Sequence, residues 1–382
     1  MIVALVTGTV LGGAYSSAGL FAPRWTKTGE PLKYPDDKYL VGVGGPAESR
    51  DAADDEAKAK LAEQIRVQVE SEVVSYLQES VHKSGPNVSD KLVQEVTWQV
   101  KSKVDITLEG LEYADRYYDS VNKEYYTLAI LDRKHAGKTR MDKAEELRES
   151  GRSYYNKAMT CVHKGDYGSA VINLNKAHSF LTEATARERE AKVIGGVQVR
   201  VIPAELTPWE LQLKKSSMLR KARIGLYLIE QNPLDPGSEI VTSVVSGRLN
   251  RQGLSIGSAQ HFLGDMDYKS LSTLSIDQLS GMLGKNLSFL VFGEIEAKES
   301  SRLKLHSSTV HFYKCRASIK ALNIHTGEVI SHVAFDWEEE TKVGKTRAVE
   351  AATGSLKEAG RLISQRLDRD FEEYLYGEEG RE

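Results

Sequence analysis

The stretch KYLVGVGGPAESRDAADDEAKAKLAEQIRVQVESEVVSY, Lys38 to Tyr76, decides how the first part of the chain is read. Tyr39, Leu40, Val41 and Val43 make a short apolar strand that runs into Gly42, Gly44, Gly45 and Pro46. Ala52, Ala53, Ala57, Ala59, Leu61 and Ala62 then sit among charges, as in a helix with a small-residue packing face. Beyond them Ile65, Val67 and Val69 alternate with Arg66, Gln68 and Glu70, the period of a half-buried strand.

Strand, glycine turn and helix also open a dinucleotide-binding site, so Gly42–Gly45 is a candidate nucleotide turn and a nucleotide-binding enzyme is the alternative function. The fingerprint wants a third glycine where Ala47 stands, and Pro46 sits in the turn instead. It also wants a uniformly apolar next strand, because parallel sheets are buried on both faces, whereas residues 65–70 alternate. The competing reading is that the glycines let a strand turn tightly into a packing helix. Asp51, Asp54, Asp55 and Glu56 read as the negative start of that helix, favoured by its dipole, and not as a catalytic pair.

Trp25 behind Pro23 and Arg24, the run Tyr39-Leu40-Val41-Gly42-Val43-Gly44, and an alanine-rich helix ending in Leu61-Ala62-Glu63-Gln64-Ile65 resemble the LPP20 lipoprotein family. They are similar, too, to the N-terminal domain of the flagellar assembly protein T. The resemblance spans about Pro23 to Arg133 and implies a bacterial envelope protein that is not an enzyme. It also implies a lipid-bearing cysteine near the N-terminus, but no cysteine precedes Cys161, so the residues do not support acylation.

The chain has 382 residues and a net charge of −3 from 51 basic and 54 acidic side chains. Two or three domains are expected at this length, and a general nucleic-acid binder, which needs a basic excess, is excluded. Two cysteines, Cys161 and Cys315, make no disulfide framework. Residues 1–22 are apolar and then rich in small residues, and read as a signal peptide or N-terminal anchor although they lack a basic n-region.

Residues 23–133 read as an α+β domain, one sheet with helices on one face. Pro23 to Asp37 is an irregular lead-in, Ser89 or Asp90 caps a helix, and two strands follow, joined near Ser120-Val121-Asn122. Tyr113, Tyr117, Tyr118, Tyr125 and Tyr126 cluster on them as cross-strand packing, although such a cluster can also stack sugars or bases. Residues 134–192 read as a helical hairpin resembling one tetratricopeptide-like unit, a spacer. Arg140 to Glu149 reads as a solvated face, and His163 and His178 as helix-surface residues. Residues 193–218 form a linker in which Val197, Val199 and Val201 make a short strand and Pro208-Trp209 starts a helix.

Residues 219–375 carry a second unit: strands at Ile224–Glu230, Leu254–His261 and Phe289–Ile295, with helices at Ser238–Asn250 and after Ser275. His311–Ile324 and Val329–Trp337 pair through a Thr326-Gly327-Glu328 turn, and a terminal helix runs from Arg347 to about Tyr374. Residues 376–382 are a tail. This order resembles the TolB N-terminal and curli secretion protein G folds, which implies an α/β sandwich and an envelope compartment.

Candidate chemistry is sparse. No G-x-S-x-G elbow is present. Gly264, Asp265 and Asp267 hint at a cation loop but lack the later glutamate and third acid. His306, His311, Cys315, His325 and His332 lie in one region at spacings that match no metal pattern. We therefore expect no catalytic, cofactor-binding or metal residue and no cofactor. The expected function is a structural or assembly component of an envelope machine, periplasmic or associated with the outer membrane, with protein partners and no nucleic acid.

Overall fold

The computed structural model describes residues 22–84, 90–104, 108–199, 203–284 and 286–377. The expectation for residues 1–22 falls, but for Ala22, outside the described residues, as does the chain break at Gly85-Pro86-Asn87. The chain is a mixed α+β protein of two compact units. Unit 1 comprises residues 1–149 and 180–203, and unit 2 comprises residues 150–179 and 204–382.

Unit 1 begins with a short helix, α1 (Arg24–Thr28), and a strand, β1 (Tyr39–Ala47). Two helices follow, α2 (Arg50–Ser84) and α3 (Asp90–Ser102), then the hairpin β2 (Leu111–Asp119) and β3 (Glu124–Asp132). The three strands form an antiparallel sheet in the order β1-β3-β2. Being central, β3 buries both faces. Tyr126, Leu128 and Ile130 pack with Trp25 on one side, and the indole Nε1 donates to Asp115 Oδ2 at 3.0 Å. The alternate residues Thr127, Ala129 and Leu131 are buried on the other side, where α2 lies.

The strand expected at residues 65–70 is helix. Ala53, Ala57, Leu61, Ile65, Val69, Val73 and Leu77 are all buried, every fourth residue of α2, while Val67 is 59% exposed. The alternation over six residues was a fragment of this longer stripe. A four-residue step overshoots one helical turn by about 40°, so the stripe winds around α2 and no flat sheet can cover all of it. The sheet meets its start at Ala53 and Ala57. Further along, Glu72 accepts from Arg189 and Lys192, and the Arg189 guanidinium stacks 3.7 Å from the Tyr76 ring.

Those partners come from the hairpin α4 (Arg133–His163) and α5 (Tyr167–Gly195). Its turn uses Gly165 at φ +78, and Asp166 Oδ1 caps α5 by accepting from the Ser169 amide at 3.0 Å. The hairpin is divided between the units, the turn end in unit 2 and the open end in unit 1. The solvated face expected over Arg140 to Glu149 is partly interior. Arg140 is 7% exposed and pairs with Glu190, and Arg148 pairs with the fully buried Glu188. Buried charges persist only when paired, and here the charge runs of two helices neutralise one another.

Unit 2 continues with α6 (Pro208–Lys221), with Pro208 in its first turn, then β4 (Arg223–Gln231), α7 (Ile240–Leu249) and β5 (Ser255–Ser258). Residues 196–199 carry no regular structure, and the rest of the strand expected there falls outside the described residues. Three short helices follow: α8 (Gln260–Leu263), α9 (Tyr268–Thr273) and α10 (Ile276–Leu283), the last held by a capping box between Ser275 and Gln278. The unit ends with β6 (Phe289–Leu305), β7 (Ser308–Asn323), β8 (Val329–Phe335), β9 (Val343–Lys345) and α11 (Ala348–Tyr376).

The sheet order is β5-β4-β6-β7-β8, with β5, β4 and β6 parallel and the later strands antiparallel. One face buries Ile224, Leu226 and Val291 under α7 and α11, and the other buries Tyr227, Leu290 and Phe292 under α8–α10. Strands β6 and β7 are much longer than their apolar segments, so residues 300–309 form an exposed arm.

Replacing Ile65 with alanine should cost about 2–5 kcal/mol of unfolding free energy, and Val67→Ala no more than about 0.5 kcal/mol. Urea titration followed by far-UV circular dichroism checks the contrast, which a strand here would erase. Gly44→Ala should destabilise by about 1–3 kcal/mol by overpacking, because its Cβ would fall 1.9 Å from the Ala53 carbonyl oxygen. The same titration reads it.

Candidate functional site

The candidate nucleotide turn proves to be strand. Gly42 and Gly44 pair with Ala129 and Thr127 of β3, and β1 continues to Ala47 through a cis Gly45-Pro46 peptide. A Cβ at Gly42 would lie 2.2 Å from the Ala57 carbonyl oxygen. The glycines therefore let a helix backbone rest on the strand, the third of the roles glycine plays in a dinucleotide fingerprint, without the phosphate cradle. The Gly45 amide donates to Glu56 Oε2 at 2.8 Å, so a carboxylate of the chain itself holds that amide.

The acidic helix start is structural. Arg116 clasps Asp54 with two hydrogen bonds of 3.0 and 2.9 Å, and Thr127 Oγ1 donates to Asp54 at 2.7 Å. The Arg116 hydrogen bond holds the Asp54 carboxyl below its ordinary range. The tyrosines stand in cross-strand register, Tyr117 opposite Tyr126 and Tyr118 opposite Tyr125, with ring centroids 6.1 and 4.6 Å apart. They pack one another, as cross-strand pairs do.

The histidines and cysteines of unit 2 do not converge, and among the described residues no three His, Cys, Asp or Glu side chains form a metal-binding group. His311 Nδ1 lies 2.7 Å from Glu299 Oε1, and Arg302 donates to both oxygens of the same carboxylate at 2.7 and 2.6 Å. Hydrogen bonding from Arg302, then from His311, pulls the Glu299 carboxyl down to about 2. Cys315 is fully buried with Sγ 3.1 Å from Ser355 Oγ, and burial pushes its thiol up to about 11, which makes it an inert core residue. Expected on the surface, His178 is instead buried at 7% exposure, and desolvation, then the Lys215 charge, lowers its pKa to about 3.

What sequence reading did not assemble is a crevice of about 520 Å³ at the carboxyl ends of β4 and β5. Its wall includes Tyr227 and Ile229 of β4, Thr242 and Ser246 of α7, and the Asp265-Met266-Asp267 loop. The Tyr227 hydroxyl lies 2.7 Å from the Met266 carbonyl oxygen and 2.9 Å from that of Gly264, which fastens the loop to the strand. Glu230 closes the start of α7, accepting from the Val241 and Thr242 amides at 3.0 and 2.8 Å. Asp265 and Asp267 had been visible as a short acidic motif, but its wall lies across four other elements.

These features describe a multidomain α+β protein in which the candidate glycines serve packing and the candidate histidines do not converge. Its residues 23–132, less than a third of the chain, match the LPP20 lipoprotein family. Two solved structures show weak likeness. The lipoprotein GNA1162 from Neisseria meningitidis is 13% identical over 39% of this chain and 96% of its own, at a TM-score of 0.25. The secreted protein HP1454 from Helicobacter pylori is 15% identical over 85% of this chain and 97% of its own, at a TM-score of 0.33. No curated protein matches the chain significantly.

Because its folded pKa is depressed from 4.5 to about 2, Glu299 stabilises the hairpin arm above pH 4.5, and the effect disappears as pH falls through about 2. Glu299→Gln should therefore be less stable than the parent at neutral pH and converge with it near pH 2. Paired acid-denaturation curves followed by circular dichroism check this.

Proposed function

We propose that the chain is an exported, non-enzymatic envelope protein that serves as a structural or docking component of a larger envelope assembly. The observation that carries this reading is the match of residues 23–132 to a lipoprotein family. The placement of Gly42, Gly44 and Gly45 supports it, because the nucleotide alternative needs free backbone amides there and the Gly45 amide is already held by Glu56. On this reading residues 1–22 direct export, residues 23–133 form the family domain, the helical hairpin is a connecting element shared by the two units, and the partners are envelope proteins. Among the described residues no helix is long and apolar enough to cross a membrane. The C-terminal unit, a parallel three-strand core extended by an antiparallel hairpin, is taken as TolB N-terminal-like or curli secretion protein G-like.

Fractionation of cells making the native chain, followed by cross-linking in intact cells, tests the proposal. Expected is recovery in the periplasmic or outer-membrane fraction, cross-linked to another envelope protein. Recovery from the cytosol alone overturns it.

A further inference from the structure

The crevice in unit 2 is not used by that reading. Its position follows from topology. The chain leaves β4 through α7 on one face of the sheet and leaves β5 through α8–α10 on the other, returning as β6 on the far side of β4. Where two adjacent parallel strands send their connections to opposite faces, a gap opens beyond their carboxyl ends, and in open α/β sheets ligands bind there. A volume of about 520 Å³ lies within the range of small-molecule sites.

The lining narrows the ligand class. Its charged residues are Glu239, Asp265 and Asp267, with no lysine, arginine or histidine among them. An anion is disfavoured twice over: by these carboxylates, and by Glu230, which already occupies the amides at the start of α7 where a phosphate would bind. A metal ion is disfavoured as well, since these acids do not form a metal-binding group. The rest of the lining mixes the apolar Leu228, Ile229, Ile256 and Met266 with the neutral polar Thr242, Ser246, Ser258 and Gln260. Nor is the loop that carries two of the acids loose, because Tyr227 holds it through the Gly264 and Met266 carbonyls and Asp267 caps α9 by accepting from the Ser270 amide at 2.6 Å.

We propose that this crevice binds an organic cation with a short aliphatic body, an alkylammonium or alkylguanidinium group. The carboxylates take the charged head and the apolar part of the wall takes the stem. That chemistry is shared by a free amine and by a lysine or arginine side chain presented by a partner protein.

The full chain is titrated by calorimetry with two probes: agmatine, and a capped Gly-Arg-Gly peptide. Saturable binding of either, at a dissociation constant below about 10 mM and weakened by salt, is the expected result. Tighter binding of agmatine points to a free amine, and tighter binding of the peptide to a partner's side chain. The double variant Glu239→Gln, Asp265→Asn should weaken binding about tenfold or more, and it spares Asp267, which caps a helix. Circular dichroism and a melting curve establish that the variant is folded. No saturation with either probe overturns the proposal, as does unchanged affinity in a folded double variant. Neither result bears on export, so this inference and the proposed envelope role fail separately.

Discussion

Unit 1 rests on how closely α2 lies against β1. Gly42 and Gly44 carry no side chain toward the helix, so the carbonyls of Ala57 and Ala53 come within the space a Cβ would need. Small residues on both sides bring two backbones together, and the larger Leu61 and Ile65 then fill the interior beyond. With the helix seated there, β3 is enclosed on one face by α2 and on the other by Trp25, and the hairpin tyrosines settle in register. Glu56 and Asp54 on α2 reach back to Gly45 and to Arg116 and Thr127, tying the same contact at its polar rim.

Charge is handled inside this protein by mutual pairing. Glu188 and Glu190 are buried with Arg148, Arg140 and Arg187 as partners, and Glu72 receives both Arg189 and Lys192. Removing one member of such a pair strands the other in a medium that solvates it poorly, so the network constrains how α2, α4 and α5 pack within unit 1. Unit 2 relies instead on apolar layers. Phe289 and Phe371 stack edge to face, 5.4 Å between centroids, in the layer between the sheet and α11. Its buried Asn323 is satisfied by the Tyr374 hydroxyl at 3.2 Å.

Two sets of backbone amides are occupied by the chain's own carboxylates: the Gly45 amide by Glu56 and the start of α7 by Glu230. The first ties β1 to α2, and the second caps α7. The lining of the crevice extends the same bias, since its acids would repel phosphates and attract amines.

Much of unit 2 was legible in the residues themselves. The apolar runs at β4 and β6, the helix capped by Ser275, the Gly327 turn at φ +74 and the periodic terminal helix are local signals, and local physics settles them. The resemblance to the LPP20 family was equally readable over residues 23–132. Residues 65–70 read as strand because a six-residue window shows the alternation and misses the apolar stripe at every fourth residue from Ala53 to Leu77, which the sequence also carries and whose burial the tertiary structure shows. Tertiary structure alone decided that Arg140 and His178 are interior, and that Tyr227 and Met266, 39 residues apart, meet at one crevice. Burial and site geometry depend on which distant segments arrive at the same place, and no periodicity within a single segment records that.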